Sequence, residues 1–402
     1  MISSKVQNRN DFVFSLDLKN LFFGQTWNQR NYLISPVIDF LLSGGGAVLL
    51  LSIIYLFSIE YLDGLTGFIL IIILTHIFAD PHGLASYPLF YKDFRSQLKD
   101  SQLSLFFRAQ IFTVGYLLPL GLVLFFLILP TVENLNWTHV FFDVATFAFG
   151  WHITKQGYGV WVILSAFKKI YYTKLEKDIL RYNSYLMWIF IWTSLPNDYF
   201  PFIHYDFFPI KKLFVLFHES YISELILISS ITTVIYVILQ SHIKTKLIPS
   251  LTALCAYSTV YILYAGLIQI PLWIVICAFF HGAQYSLFTI TLDHNKYMEN
   301  NPKISNKKAW IKAIKKYLVI IFIGAIIFEI LPKSEWNLNE YWFDFYKDQS
   351  KLILEKYPRA SVGDMVAQYF AVFAMCVSFH HYFIDNIIWR RDNISLLKYF
   401  KR

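Results

Sequence analysis

Charge is what this chain has least of. Only 15% of its 402 residues are Asp, Glu, Lys or Arg, while 56% are hydrophobic. The mean hydropathy is +0.47. So few charges cannot cover a soluble globule of this length, and the composition is that of a polytopic membrane protein. Cysteine is scarce as well. Cys255, Cys277 and Cys376 each lie in an apolar run, without CxxC or finger spacing. That pattern indicates neither a disulfide framework nor a zinc finger. There is no Gly-rich phosphate loop, no low-complexity linker and no separate soluble domain. The first ~35 residues are too polar for a signal peptide, so the first apolar helix is expected to serve as an uncleaved signal. The net charge of +8 gives nucleic-acid binding no support beyond the charge itself. The 19% of aromatic residues reflects a bias toward Phe, Tyr, Ile, Asn and Lys before it requires an aromatic pocket.

What is present is a series of apolar runs, most of them long enough to cross a bilayer as helices. They cover about 36–57, 62–80, 111–130, 138–167, 185–195, 222–240, 248–268, 270–292, 317–331 and 366–389. The fifth is short. Pro81, at the end of the second, predicts a kink or stop. Alternate loops are basic, as at Lys168 to Arg181 and Lys303 to Lys316, and the loops between them are poor in Lys and Arg. The alternation predicts about ten transmembrane helices with both termini in the cytoplasm. The fold class expected is therefore an all-α polytopic membrane protein with a histidine-lined site inside the membrane. Residues 1–35 form a cytoplasmic N-terminal segment, 36–390 the transmembrane helical domain and 391–402 a cytoplasmic tail. A bacterial inner membrane is the expected location, with the lipid bilayer as the first partner. The basic segment 301–316 could lie as an amphipathic helix on the inner leaflet, although lysines that merely fix topology are the better explanation.

Histidines recur in the even-numbered runs. His76, His152, His281 and the pair His380–His381 each fall roughly 11–15 residues from the outer start of their span, so they share one layer near the midplane. His82 lies deeper, and the break at Asp80–Pro81 would fold it back. Imidazoles from several helices in one layer are how bundles build metal sites. Most have a polar residue one turn later on the same face: Asp80, Gln156, Tyr285 and Asp385. Such partners would be further ligands or would fix an imidazole tautomer. A single intramembrane histidine more often packs or relays protons than binds metal. Four at matched depth is a pattern that chance explains poorly. His380 and His381 point about 100° apart, so one of the two faces the site. Lys155, one turn below His152, would snorkel, pair with a carboxylate or bind substrate. His139, His204, His218, His242 and His294 read as surface residues.

The order of motifs resembles a family. The chain reads Asp80-Pro81-His82-Gly83-Leu84-Ala85-Ser86, then Gly150-Trp151-His152-Ile153. It continues Phe280-His281-Gly282-Ala283-Gln284-Tyr285 and His380-His381-Tyr382-Phe383-Ile384-Asp385. This resembles the bacteriorhodopsin-related (Brp/Blh-type) β-carotene 15,15′-dioxygenases, which carry P-H-G-A-x-D, W/I-H-F-G, H-x-x-x-H and P-H-x-x-x-x-D motifs in that order. Ser86 stands at the family's aspartate, Tyr285 at its second histidine and His380 at its proline. The motifs cover a few dozen residues. The resemblance implies non-haem iron, Fe(2+), held by His82, His152, His281 and one of His76, His380 or His381. It also implies dioxygen as co-substrate.

The function expected is a membrane-embedded oxygenase acting on a long apolar, carotenoid-like or lipid substrate. Tyr285 and Lys155 are the candidate catalytic residues, with Asp80, Gln156 and Asp385 supporting the ligands. A lipid hydroxylase or desaturase fits less well, because the clustered histidine boxes of those enzymes are missing. A proton- or ion-coupled transporter is the alternative from a different class, with His, Lys155 and Asp385 as a midplane relay.

Overall fold

The computed structural model describes residues 32–56, 80–128, 136–194, 222–269, 273–327 and 362–389. His76, the second expected span, the side chain of Asp80, and His139, His204 and His218 lie outside the described residues and side chains, as do most of the N-terminal segment and the tail. Among the described residues every regular element is helical and none is a strand. Three helical stretches are long and apolar enough to cross a membrane: Pro36–Ile53, Leu105–Leu127 and Glu224–Thr245. They mark the chain as a membrane protein.

The chain enters through α1 (Pro36–Phe40), a π turn (Leu41–Gly45) and α2 (Gly46–Leu56). Asp39 is buried, and its carboxylate accepts from the backbone N–H groups of Leu33, Ile34 and Ser35. Those donors precede the helix and would otherwise be unpaired. Gly44 has φ +118°, and a Cβ there would lie 2.7 Å from the Cys255 carbonyl. Only glycine fits such a turn against another backbone.

Next come α3 (Asp80–Tyr91), α4 (Phe94–Lys99), α5 (Leu105–Phe112), a second π turn (Thr113–Leu117) and α6 (Leu118–Ile128). Pro81 does not stop the chain at His82. It sits in the first described turn of α3, and the helix runs on past it to Tyr91. The second π turn has a local cause. Pro119 has no N–H to give the carbonyls four and five residues back, those of Gly115 and Val114. Side chains from other helices take them instead. Tyr91 Oη donates to the Gly115 carbonyl at 3.1 Å, and His380 Nε2 donates to the Val114 carbonyl at 2.8 Å.

The remaining helices are α7 (Asn136–Phe167), α8 (Lys174–Ser194), α9 (Ile222–Thr245), α10 (Leu251–Gln269), α11 (Trp273–Asn300), α12 (Asn306–Ala325) and α13 (Val362–Ile388). Helix α8 begins well before the expected 185, behind a reciprocal cap. Thr173 Oγ1 accepts from Glu176 N, and Glu176 Oε2 accepts from Thr173 N. Helix α12 joins the basic segment to the ninth expected span in one helix, capped by Ser305. It packs on α11 through the Ser286 and Tyr317 hydroxyls and a Lys316–Asp293 ion pair. His294 is a correction to the surface reading. It is buried, stacks on Trp310 with centroids 4.0 Å apart, and bonds to Asn306 at 2.7 Å.

Helix α7 is central. It packs against α8, α10 and α13, while α3 packs against α11, α12 and α13. Where α3, α7, α11 and α13 converge, the histidines meet. The apolar faces of α5–α6, α9 and α12 point outward, with Leu120, Leu127, Leu225, Ile228, Leu318 and Phe322 exposed. Lipid is the solvent that suits such faces.

Candidate metal centre

Four helices each contribute one imidazole. His82 comes from the first described turn of α3, His152 from the middle of α7, His281 from α11 and His381 from the last two turns of α13. All four are buried. Their rings form a closed cycle of edge-to-face neighbours. His82 and His281 have centroids 4.7 Å apart, His281 and His152 4.7 Å, His152 and His381 4.8 Å, and His381 and His82 4.7 Å. Across the cycle His82 and His152 are 6.1 Å apart.

Three of these side chains, His82, His152 and His381, fit a transition-metal ion. One ring nitrogen from each of His82, His152 and His381 lies within 4.8 Å of the others. The Nε2 atoms of His381 and His82 are 3.1 Å apart. Two nitrogens sharing a tetrahedral ion at about 2.0–2.1 Å would be about 3.3 Å apart. Both ring nitrogens of His281 are buried without a hydrogen-bond partner. Such orphaned groups are costly and rare in native interiors, and they suit a bound ion. Gly83 leaves room for the His381 ring against α3. A Cβ there would meet His381 Nδ1 at 3.1 Å. A donor set of neutral imidazoles suits iron, zinc or copper.

One turn below the imidazoles lies a second layer. Tyr285 Oη donates to Asp385 Oδ1 at 2.9 Å, and Asp385 Oδ2 faces His152 Nε2 at 3.6 Å. Tyr285 follows His281 by four residues and Asp385 follows His381 by four, so helical geometry carries each one turn below its histidine. The sequence reading missed a third pair of this kind. Ser86 follows His82 by four, is fully buried, and lies beside Tyr285 and Asp385. Its spacing was the signal that would have revealed it.

The other candidates are placed elsewhere. His380 points away from the cluster. Its Nε2–H donates to the Val114 carbonyl, and its Nδ1 meets Tyr87 Oη at 3.0 Å, so both nitrogens are engaged. Gln156 does not reach His152. Its Nε2 donates to the His281 carbonyl and to Gln284 Oε1, and Gln284 Nε2 donates to the Ser43 carbonyl. That chain ties α7, α11 and the first π turn together at the level of the imidazoles. The Lys155 ammonium sits over the Trp151 ring, 4.9 Å from its centroid.

Comparison of the chain with protein-family models, with curated proteins and with solved structures finds no match.

Proposed function

We propose that this chain is a membrane-embedded non-haem iron oxygenase acting on a long apolar substrate, with cleavage of a carotenoid double bond as the particular reaction. In this reading about ten helices span the membrane and both termini are cytoplasmic. The observation that carries the reading is the buried trio His82, His152 and His381, with ring nitrogens within 4.8 Å of one another. Those three would hold the iron, and His281, with two orphaned nitrogens, would be the fourth ligand. When bound, ferrous iron supplies the redox partner that lets dioxygen react with a closed-shell alkene.

The chain's own residues set the conditions. Asp385 orients His152 and balances part of a dication's charge inside an apolar bundle. Tyr285 holds Asp385 in place through its hydroxyl proton. Burial of the whole cluster excludes water. Cleaving a carbon–carbon double bond with one dioxygen gives two carbonyl products and accounts for both oxygen atoms. No external reductant is then needed. The motif order resembles that of the Brp/Blh-type dioxygenases, and that resemblance supports the same reaction class.

The test is metal content by mass spectrometry on detergent-purified protein, wild type beside His152→Ala and His281→Ala. The expected result is about one iron per chain, lost in His152→Ala and reduced in His281→Ala. A wild-type protein without metal after gentle purification and iron supplementation would overturn the proposal. The histidines would then read as a proton or substrate pathway, and transport assays would follow.

A further inference from the structure

We propose that the small apolar cavity beside His281 is a docking site for a small apolar gas molecule, which under the oxygenase reading is dioxygen. The identity of the occupant rests on that reading; the site itself does not. The cavity lies between α2, α7, α10 and α11 and has room for a water-sized molecule. Ala47, Ile153, Ile262, Cys277 and Phe280 supply its apolar walls, and His281 forms one side.

Two polar residues also border it, Thr259 and Gln284, but each is hydrogen-bonded to other groups, and almost none of the surface facing the cavity is polar. Thr259 Oγ1 donates to the Ala256 carbonyl. Gln284 Oε1 accepts from Gln156, and its Nε2 donates to Ser43. A buried water needs two to four polar partners, and cavities that lack them stay dry. His281 alone does not meet that need. An apolar diatomic molecule gives up no hydrogen bonds on entering, and a lipid bilayer dissolves it readily.

Position adds the functional link. The His281 ring is edge-to-face with both His82 and His152 at 4.7 Å. A gas molecule in the cavity would therefore touch one ring of the imidazole cluster. The space exists because the α2 wall is built from small residues. Gly46 has no Cβ, and one placed there would meet Phe280 Cε1 at 2.6 Å. Phe280 therefore seats on backbone, with Ala47 beside it.

Xenon binding tests the site without metal or substrate. Xenon-pressurised crystals of the metal-free protein should show xenon bounded by Ala47, Cys277 and Phe280. Ala47→Leu should abolish it, and Cys277→Ala, which only removes an atom, should raise its occupancy. In iron-loaded protein, nitric oxide should bind ferrous iron severalfold more slowly in Ala47→Leu than in wild type, at equal iron content. An ordered water in place of xenon, or an unchanged nitric oxide rate in a folded Ala47→Leu protein with its xenon site lost, would overturn the proposal. Failure of the chain to bind iron would sink the oxygenase reading alone, since the xenon result is independent of metal.

Discussion

At the scale of single residues, the adjacent histidines on α13 show how one position differs from the next. Both are buried, and both sit in the apolar stretch Val372–Ile388. His381 joins the imidazole cycle, while His380 spends both nitrogens on Tyr87 and the Val114 carbonyl. The two substitutions should therefore separate. His381→Ala is expected to lose bound metal. His380→Ala is expected to keep it, while losing about 2 kcal/mol of stability because buried groups are left unpaired. Metal analysis beside thermal unfolding in detergent checks both. Equal metal loss from the two variants would mean that the orientation of α13 is wrong. The 100° offset between neighbours was legible in the sequence. Which of the two faces inward was not, because the acceptor that claims His380 lies on another helix.

At the scale of elements, the two π turns place the site's walls. The second follows from Pro119, whose missing N–H frees carbonyls for His380 and Tyr91. The first follows from the Gly44–Gly46 run, where the missing side chains let a neighbouring helix come close. That neighbour is α10, at Cys255. Gly44→Ala should cost on the order of 3 kcal/mol, because it combines a forbidden φ with a clash against backbone. The expected outcome is a large drop in melting temperature, or loss of folded protein on expression. A near-wild-type melting curve would rule out this packing. Boundaries were less legible than the runs themselves. Hydropathy placed the start of α8 at 185 because Lys174 to Arg181 are polar. The cap formed by Thr173 and Glu176 starts it earlier.

At the scale of the whole molecule, the basic end of the bundle is tied across helices. Lys244 on α9 donates to Glu176 on α8 at 2.6 Å. Burial pushes the Glu176 carboxyl up, but the bonds from Lys244 and Thr173 outweigh it and hold its pKa below the ordinary value. A carboxyl depressed in the folded state stabilises fully above its unfolded pKa of about 4.5, and the stabilisation is lost as pH falls below that. Lys244 is half exposed, so the pair contributes about 0.5 kcal/mol. Glu176→Gln should lower the melting temperature slightly at pH 7 and flatten its decline below pH ~4.5. An identical pH profile in the variant would remove this link from the account.

The sequence by itself determined the helical class, the apolar runs and the spacing that carries Tyr285 and Asp385 one turn below their histidines. These are local properties, fixed by composition and by 3.6 residues per turn. Only the tertiary structure decided that Tyr285 and Asp385 bond to each other, that Gln156 serves the α11 backbone and that His380 turns away. Those outcomes depend on which buried donors and acceptors of distant segments come within reach. A buried polar group takes the partner that packing brings to it, whatever its distance along the chain.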